Sequence, residues 1–222
     1  MVLSGIVLWL RSAPAWRDLP QCYGAWNTVY QYWRRFNKLG IIAKLHAHVA
    51  RPRGRLRLID ATFMKVHQHA ANGPGTPEEK GIGRSKGGPT TKLHAVVDEY
   101  GTLVGIVLTA GNVNDCSAAP VLLKDLTYKK ILADKAYDTN ALRQIIYEAH
   151  STACIPSKAQ RKVAFEYDAE LYKLRHVVEN TFQRLKVFRT IDTRYQKLLE
   201  HVEGAILFGA LLVALGYRAE SR

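Results

Sequence analysis

The segment Arg55-Leu-Arg-Leu-Ile-Asp-Ala-Thr-Phe-Met-Lys-Val66 combines partly alternating apolar and polar residues with many residue types that favour strands. Asp60 interrupts its apolar centre. A carboxylate in such a position is costly unless it is paired with a cation or bound to a metal ion. The segment therefore predicts a core strand that carries a functional acid.

Hydrophobic periodicity and turn residues around this segment predict further strands and then alternating helices and strands. A hairpin turn is predicted at 99–101, and Thr139 is a predicted helix cap. The resulting order is three strands, helix, strand, helix, strand and long helix, which is the order of a ribonuclease-H-like α/β fold with a mixed sheet and flanking helices. The predicted strands are 92–97, 102–109, 130–133 and 153–155, and the predicted helices are 118–126, 140–150, 169–187 and 198–215.

Two further acids stand where this fold would gather them. Asp134 directly follows the predicted strand 130–133, and function in open α/β sheets lies at the C-terminal ends of strands. Glu179 lies on the long helix, at the border between an apolar face and a narrow polar stripe. The simpler interpretation of that stripe is a solvated helix face with charge pairs four residues apart.

Three carboxylates from separate elements suit the cleavage of a phosphodiester. Two Mg²⁺ ions, for which Mn²⁺ substitutes, stabilise the attacking and leaving oxygens in such reactions, and hard cations prefer carboxylate ligands. We therefore predict that Asp60, Asp134 and Glu179 are the catalytic residues and the metal ligands. Three other acids compete with these for a catalytic role, but each has a structural explanation. Asp98 fits the end of a hairpin, Asp115 a helix cap, and Asp138 a position just past a strand.

Composition and charge limit the possible partners. The 222 residues are 47% hydrophobic and 23% charged, which excludes a disordered chain and a disulfide miniprotein. The net charge is +13, and residues 1–54 contribute +7 of it because they hold eight basic residues and one acid. This excess favours nucleic acid first and an acidic membrane surface second, over a basic surface without a partner. The scattered cysteines indicate free thiols in a reducing cytoplasm.

Clusters of basic residues mark the predicted DNA contacts, because phosphate contacts supply most non-specific affinity. One cluster lies on a predicted helix at 26–38, for which a packed helix with a basic outer face is the alternative. A second lies in the glycine-rich region 81–92, which is otherwise a plain flexible connection, and a third lies at 158–162. The predicted contacts are Arg34, Arg35, Lys38, Arg84, Lys86, Lys92, Lys158, Arg161 and Lys162, together with Arg175 and Lys186 on the long helix.

Several motifs of the sequence carry a resemblance to a known family. They are LIDAT at 58–62, GIGRSKGGPTTKLHAVVD at 81–98, ILADKAYDT at 131–139, Tyr172-x2-Arg175-x3-Glu179-x6-Lys186, and TRYQK at 193–197. In these motifs the chain resembles the DDE transposases of bacterial insertion sequences, in the group that includes the insertion-sequence-four and -five families with their Tyr-Arg-Glu-Lys signature. Residues 10–40 are similar to the N-terminal helical domain of that family.

The resemblance implies a ribonuclease-H-like catalytic domain that cuts double-stranded DNA at element ends and joins the freed 3′-OH to target DNA. It implies that the three predicted acids are the metal ligands, and that Tyr172, Arg175 and Lys186 contact DNA or support the site. A homodimer in a synaptic complex and a place on the nucleoid of the bacterial cytoplasm are further implications.

The expected organisation is a partial helical DNA-binding domain over residues 1–50 and a catalytic domain over residues 51–222. Family members carry several dozen residues before the position that matches Met1, so the resemblance is to an N-terminally shortened member. One alternative to an active transposase is a truncated, non-catalytic DNA-binding remnant or the regulatory half of a frameshifted protein. Another is a hydrolytic nuclease of the same fold without joining activity.

Overall fold

The computed structural model describes residues 1–73, 75–127 and 129–217, so the last five residues of the predicted catalytic domain lie outside the described residues. The strands are β1 (Leu56–Val66), β2 (Gly83–Ser85), β3 (Gly88–Asp98), β4 (Leu103–Ala110), β5 (Lys130–Leu132), β6 (Thr152–Cys154) and β7 (Thr193–Arg194). The α-helices are α1 (Val2–Ser12), α2 (Trp26–Lys38), α3 (Ile41–Val49), α4 (Gln68–Ala71), α5 (Asp115–Leu123), α6 (Asn140–Glu148), α7 (Ala169–Tyr172), α8 (His176–Lys186), α9 (Arg189–Asp192) and α10 (Leu199–Ala214).

β1 is a central strand of the seven-stranded sheet that the described residues form. It pairs with antiparallel β3, which also pairs with β4 and with the short β2. It pairs in parallel with β5, which in turn pairs in parallel with β6, and its C-terminal end pairs with β7. Parallel neighbours need crossover connections, which α5 and α6 supply. Three antiparallel strands followed by strand–helix alternation confirm the predicted ribonuclease-H-like order.

Helices cover both faces of the sheet, because neighbouring residues of a strand point to opposite sides. Leu58 belongs to a core cluster that includes residues of α1, α2, α8 and α10, whereas Ile59 belongs to a second cluster with residues of α5 and α6. Both side chains are completely buried. Asp60 comes two residues after Leu58 and therefore faces the layer that contains α8.

The N-terminal helices share one hydrophobic core with the end of the chain. Trp33 of α2 is buried, and its ring centroid lies 4.9 Å from that of Trp9 and 6.4 Å from that of Phe208 in α10. The hydroxyl of Thr190 donates a hydrogen bond to the carbonyl of Leu10 at 2.9 Å. Residues 50–55 connect α3 to β1 without helix or strand, where the sequence predicts a domain boundary. The core is therefore continuous across that boundary.

Two of the predicted helices differ from the observed ones by more than two residues or are divided. The predicted helix 169–187 is divided, because α7 passes through a 3₁₀ turn at Lys173–Arg175 into α8. The predicted helix 118–126 ends earlier, at Leu123. Helix caps follow the prediction, since Thr139 accepts a hydrogen bond from the first turn of α6. None of the described helices is long and apolar enough to cross a membrane.

Candidate active site

Asp60 lies in the middle of β1, and its side chain is 16% exposed. Its Oδ1 accepts a hydrogen bond from the N–H of Ala61 at 2.9 Å, and its Oδ2 accepts one from Nη2 of Arg175 at 2.6 Å. Burial raises the pKa of Asp60 above its ordinary value and the charge of Asp134 raises it further, while Arg175 opposes both effects. Asp60 is thus a desolvated carboxylate with an acidic neighbour and a cationic partner.

Asp134 stands at the same level of the sheet as Asp60. The parallel register pairs Leu58 with Leu132, and each acid comes two residues later on its strand or just beyond it. Asp134 caps a 3₁₀ turn at Lys135–Tyr137, since its Oδ1 accepts a hydrogen bond from the second residue of that turn at 2.8 Å. Its Oδ2 lies 3.8 Å from Nη1 of Arg175. The end of β5 therefore presents a second carboxylate to the same guanidinium.

Glu179 supplies the third carboxylate from the first turn of α8. Its side chain is 54% exposed, and its Oε1 lies 3.1 Å from Nη2 of Arg175. The fold therefore brings all three predicted acids to one guanidinium. Within the ranges that the structure describes, no group of three His, Cys, Asp or Glu side chains meets the geometry for holding a metal ion as it stands. The cation that all three acids contact is Arg175 of the protein itself.

Tyr172 supports this arrangement from the preceding turn. Its side chain lies close to Arg175, and its ring packs edge-on against that of Tyr167 at 5.5 Å between centroids. Burial alone would lower the pKa of Arg175, but Asp60, Tyr172 and Asp134 together raise it above its ordinary value. Arg175 is therefore a permanent positive charge at the centre of the acids.

The chemistry of the donor set fits a divalent cation. Carboxylate oxygens are the ligands that Mg²⁺ and Mn²⁺ prefer. Beside them, the buried hydroxyl of Tyr137 has no hydrogen-bond partner among the described residues. Burial raises the pKa of Tyr137, and the charges of Asp60, Asp115 and Asp134 raise it further, so this hydroxyl stays protonated. An unpartnered buried donor is a group that a bound water or ligand would satisfy.

Most of the predicted DNA contacts lie at the surface. Those of α2 line an open groove beside the start of α10, and two others lie on the hairpin formed by β2 and β3. The remainder lie between β6 and α7, on α7 and in the 3₁₀ turn that follows it, or at the end of α8. The exposed members are Arg34, Arg35, Lys38, Arg84, Lys86 and Lys162, and the half-buried members are Lys158, Tyr172, Arg175 and Lys186.

Two predicted DNA contacts are instead engaged inside the protein. The ammonium of Lys92 lies 2.8 Å from Oδ1 of Asp115 and also donates to the carbonyl of Val113, and this side chain is 8% exposed. Arg161 donates two hydrogen bonds to the carboxylate of Asp138, at 2.8 and 2.9 Å. Lys92 and Arg161 are thus both held by carboxylates of the protein, and this geometry does not favour them as DNA contacts.

Two of the rival acids, Asp98 and Asp138, lie at the positions predicted for them. Asp98 is fully buried at the end of β3, where its carboxylate accepts hydrogen bonds from the N–H groups of Arg53, Tyr100 and Thr102. Asp115 is the first residue of α5, and the residue that caps this helix is its neighbour Asn114, so the predicted cap is wrong by one residue. The extent of the contacts of Asp138 was missed, because they include residues up to 23 positions away and no sequence pattern marks such pairs.

Comparison with known proteins gives two matching family models. Residues 51–215 match the model described as "Transposase DDE domain". Residues 1–46 match the model described as "Putative transposase of IS4/5 family". The first match covers most of the chain and contains all three acids.

Two relatives carry similar names. The chain is 38% identical over 128 residues to the "Putative transposase for insertion sequence element IS6501" of Brucella ovis, which spans 57% of this chain and 98% of the relative. It is 28% identical over 131 residues to the "Putative transposase for insertion sequence element IS402" of Burkholderia cepacia, which spans 54% of this chain and 59% of that relative. The chain thus spans nearly all of one relative and about three fifths of the other.

Among solved structures, the chain is similar to the "Crystal structure of a pre-cleavage Mos1 transpososome", with 10% identity, a TM-score of 0.34, and coverage of 97% of this chain and 78% of that chain. So low a TM-score carries no weight for the fold, which rests on the strand order. The two family models, the Brucella ovis relative and the topology agree on DNA transposition as the general function. The chain belongs to the DDE transposases of insertion sequences.

Proposed function

We propose that this chain cuts DNA at the ends of its insertion sequence with the help of divalent metal ions, and transfers the freed 3′-OH strand into target DNA. The observation that carries the proposal is the convergence of Asp60, Asp134 and Glu179, from three separate elements, on the guanidinium of Arg175. Acids placed this way on a ribonuclease-H-like sheet are the donor set that metal-assisted phosphodiester cleavage requires.

The three acids would hold two Mg²⁺ ions, for which Mn²⁺ would substitute. Bound there, the metal would supply positive charge for the attacking and leaving oxygens of the phosphodiester. The protein's own residues fix the acids, because Asp60 and Asp134 are each held by a backbone N–H as well as by Arg175. Tyr172 lies near Arg175 and helps to raise the pKa of its guanidinium.

Double-stranded DNA is the proposed partner, both as element end and as target. The net charge of +13 and the exposed basic side chains on α2, on the β2–β3 hairpin and between β6 and α7 suit the phosphate backbone. Two element ends have to be processed together, so we propose a homodimer in a synaptic complex. The proposed location is the nucleoid of the bacterial cytoplasm.

Cleavage of plasmid DNA tests this proposal. The plasmid carries the DNA that flanks the coding sequence in its genome, and the protein is added with Mg²⁺ or Mn²⁺. Wild type should cut at the element boundary and produce joined product, whereas Glu179→Gln should bind DNA without cutting. Glu170→Gln is the matched control, because Glu170 lies on α7, is highly exposed and pairs only with Lys173 among the described residues.

Other outcomes would favour the alternative functions. DNA binding without any cleavage by wild type would indicate a non-catalytic remnant or one half of a fused protein. Nicked product without a strand-transfer species would indicate a hydrolytic nuclease. Cleavage that survives Glu179→Gln would contradict the assignment of the acids.

A further inference from the structure

Asp138 is a fully buried carboxylate whose two oxygens both bind cations of the protein. Its Oδ1 accepts hydrogen bonds from Nε of Arg143 at 2.8 Å and from Nη2 of Arg161 at 2.9 Å. Its Oδ2 accepts hydrogen bonds from Nε of Arg161 at 2.8 Å and from the N–H of Lys158 at 2.9 Å. Forked pairs between arginine and carboxylate fix geometry as well as contributing energy. Asp138 therefore fixes two arginines and one stretch of backbone at once.

These contacts hold a segment that has no helix or strand, residues 155–168 between β6 and α7. At its start, Nη2 of Arg143 donates to the carbonyl of Ile155 at 2.8 Å. In its middle, the ring of Phe165 lies against the guanidinium groups of Arg143 and Arg161, at 4.2 and 4.9 Å from its centroid. At its end, Sγ of Cys154 donates to the carbonyl of Asp168 at 3.3 Å. The segment is therefore held along its whole length, with Asp138 at the centre.

The same segment lies next to the candidate active site. Asp138 follows Asp134 after a single 3₁₀ turn, and the segment leads into α7, which is followed by the 3₁₀ turn with Arg175 and by α8 with Glu179. An open depression of about 320 Å³ lies beside Asp138, lined among others by Lys158 and Gln160. The ring of Tyr167, near the end of the segment, packs against that of Tyr172 at 5.5 Å between centroids, so the segment contacts the candidate active site there.

Charge pairing divides the basic residues of the segment into two groups. Arg161 is ion-paired with Asp138, whereas the ammonium groups of Lys158 and Lys162 have no ion-pair partner among the described residues. Although burial would raise the pKa of Asp138, the hydrogen bonds from Arg161, Lys158 and Arg143 hold it well below its usual range. The carboxylate is therefore charged at neutral pH. Lys158 and Lys162 remain available to bind an external anion.

We propose that Asp138 is a positioning residue for the DNA substrate: it holds residues 155–168 in one conformation, so that Lys158 and Lys162 bind phosphates of the DNA backbone. The proposal rests on the proposed function, since it takes the anion to be substrate DNA. Its physical basis is preorganisation. An irregular segment of this length would lose much conformational entropy on binding if it were free, and Asp138 removes that loss before DNA arrives.

The test compares Asp138→Asn with Asp125→Asn. Asp125 is exposed and has no side-chain partner among the described residues. Both changes raise the net charge by one, which on its own should slightly strengthen DNA binding. Binding to a short fluorescent DNA duplex is measured without metal, by anisotropy over a range of salt concentrations.

Asp138→Asn should weaken binding about tenfold, and the slope of log Kd against log salt should fall by about one for each lost phosphate contact. Asp125→Asn should bind as well as wild type or better. Trypsin should cut Asp138→Asn faster than wild type at Lys158, Arg161 or Lys162. In plasmid cleavage, the half-saturating DNA concentration should rise about tenfold, while the rate at saturation changes less than about threefold.

If Asp138→Asn fails to fold, variants of the two surface lysines still test the proposal. Lys158→Ala and Lys162→Ala should each reduce the salt slope, and Lys158→Ala should have little further effect in the Asp138→Asn background. Wild-type affinity and slope in both lysine variants would overturn the proposal. So would wild-type DNA binding by a folded Asp138→Asn protein. Because the duplex assay needs no cleavage, failure of wild type to cut would count against the proposed function alone.

Discussion

Arg175 and Asp60 are 115 residues apart in the chain, yet Nη2 of Arg175 lies 2.6 Å from Oδ2 of Asp60. The contact joins the central strand to the turn before α8. Because the same guanidinium also reaches Asp134 and Glu179, it is the positive charge that allows three acids to stand close together. It also lies between carboxylate oxygens that a metal ion would use.

Replacing Arg175 by Gln should therefore lower stability and increase the response to metal. Loss of a partly buried ion-pair partner costs about 2 kcal/mol, which lowers the Tm by several degrees in a chain of this size. Mn²⁺ should raise the Tm of Arg175→Gln more than that of wild type, because no guanidinium competes for the acids. Thermal melts with and without Mn²⁺ measure both effects. Arg184→Gln, on the exposed side of α8, is the control, and equal Mn²⁺ shifts in all three proteins would contradict the competition.

Lys92 should matter for stability and not for DNA. Lys92→Met leaves Asp115 and the carbonyl of Val113 without their cation, which should cost about 1–3 kcal/mol. The salt dependence of DNA binding should not change. Lys86→Met, on the exposed hairpin, should show the reverse pattern of an unchanged Tm and a shallower salt slope. A shallower salt slope in Lys92→Met would restore Lys92 as a phosphate contact.

The stability of the protein should fall as the pH drops below about 6.5. Burial, helped by the nearby charge of Lys92, lowers the pKa of His94 to about 4, while Asp115 acts in the opposite direction. Between these two values the unfolded chain binds a proton that the folded chain does not. The free energy of unfolding therefore decreases towards acid by up to about 1.4 kcal/mol per pH unit for this residue.

Urea unfolding of His94→Gln between pH 7.5 and pH 4 checks this linkage. The variant should have a flatter pH profile than wild type. Some slope should remain, because burial also lowers the pKa of His46 and of His201. The exposed His48→Gln should keep the wild-type slope. Parallel profiles for wild type and His94→Gln would exclude His94 as the source.

The N-terminal helices and the sheet should unfold together. All four tryptophans lie within the first 33 residues, so fluorescence reports that region, whereas far-UV circular dichroism reports the whole chain. Because the two regions share one core, both signals should have the same midpoint. Trp33→Ala should lower the free energy of unfolding by about 3–5 kcal/mol and move both midpoints equally. A fluorescence transition that precedes the circular dichroism transition would indicate two independent units.

Much of the fold could be predicted because long elements leave periodic patterns. The helix 26–38 and the hairpin between β3 and β4 were predicted close to their observed bounds. The two-residue strand β7 could not be, since so short a strand has no period and exists only because it pairs with Lys65 and Val66. The sharing of one core between N-terminal and C-terminal helices was also missed, because amphipathic faces do not identify their partners.

In the site, too, the features that local sequence marks could be predicted, whereas contacts between distant residues could not. A strand centre, a strand end and a helix border were enough to predict Asp60, Asp134 and Glu179 as acids gathered by one sheet. No pattern in the sequence indicates that Arg175 contacts all three acids, or that Asp138 binds Arg161. Ion pairs between distant positions depend on the three-dimensional path of the chain. The sequence of a basic loop such as 158–162 therefore does not indicate which of its side chains are ion-paired within the protein.

Because a 3₁₀ turn precedes α8, the signature from Tyr172 to Lys186 depends on the spacing between its residues as well as on their types. A 3₁₀ turn has three residues per turn, so Tyr172 and Arg175 lie one above the other. From Arg175 onward the helix is α, in which spacings of four and seven return to one face. A single inserted or deleted residue in this stretch would rotate everything beyond it by about 100°. Evolution can therefore exchange individual side chains here more easily than it can change the length of the stretch.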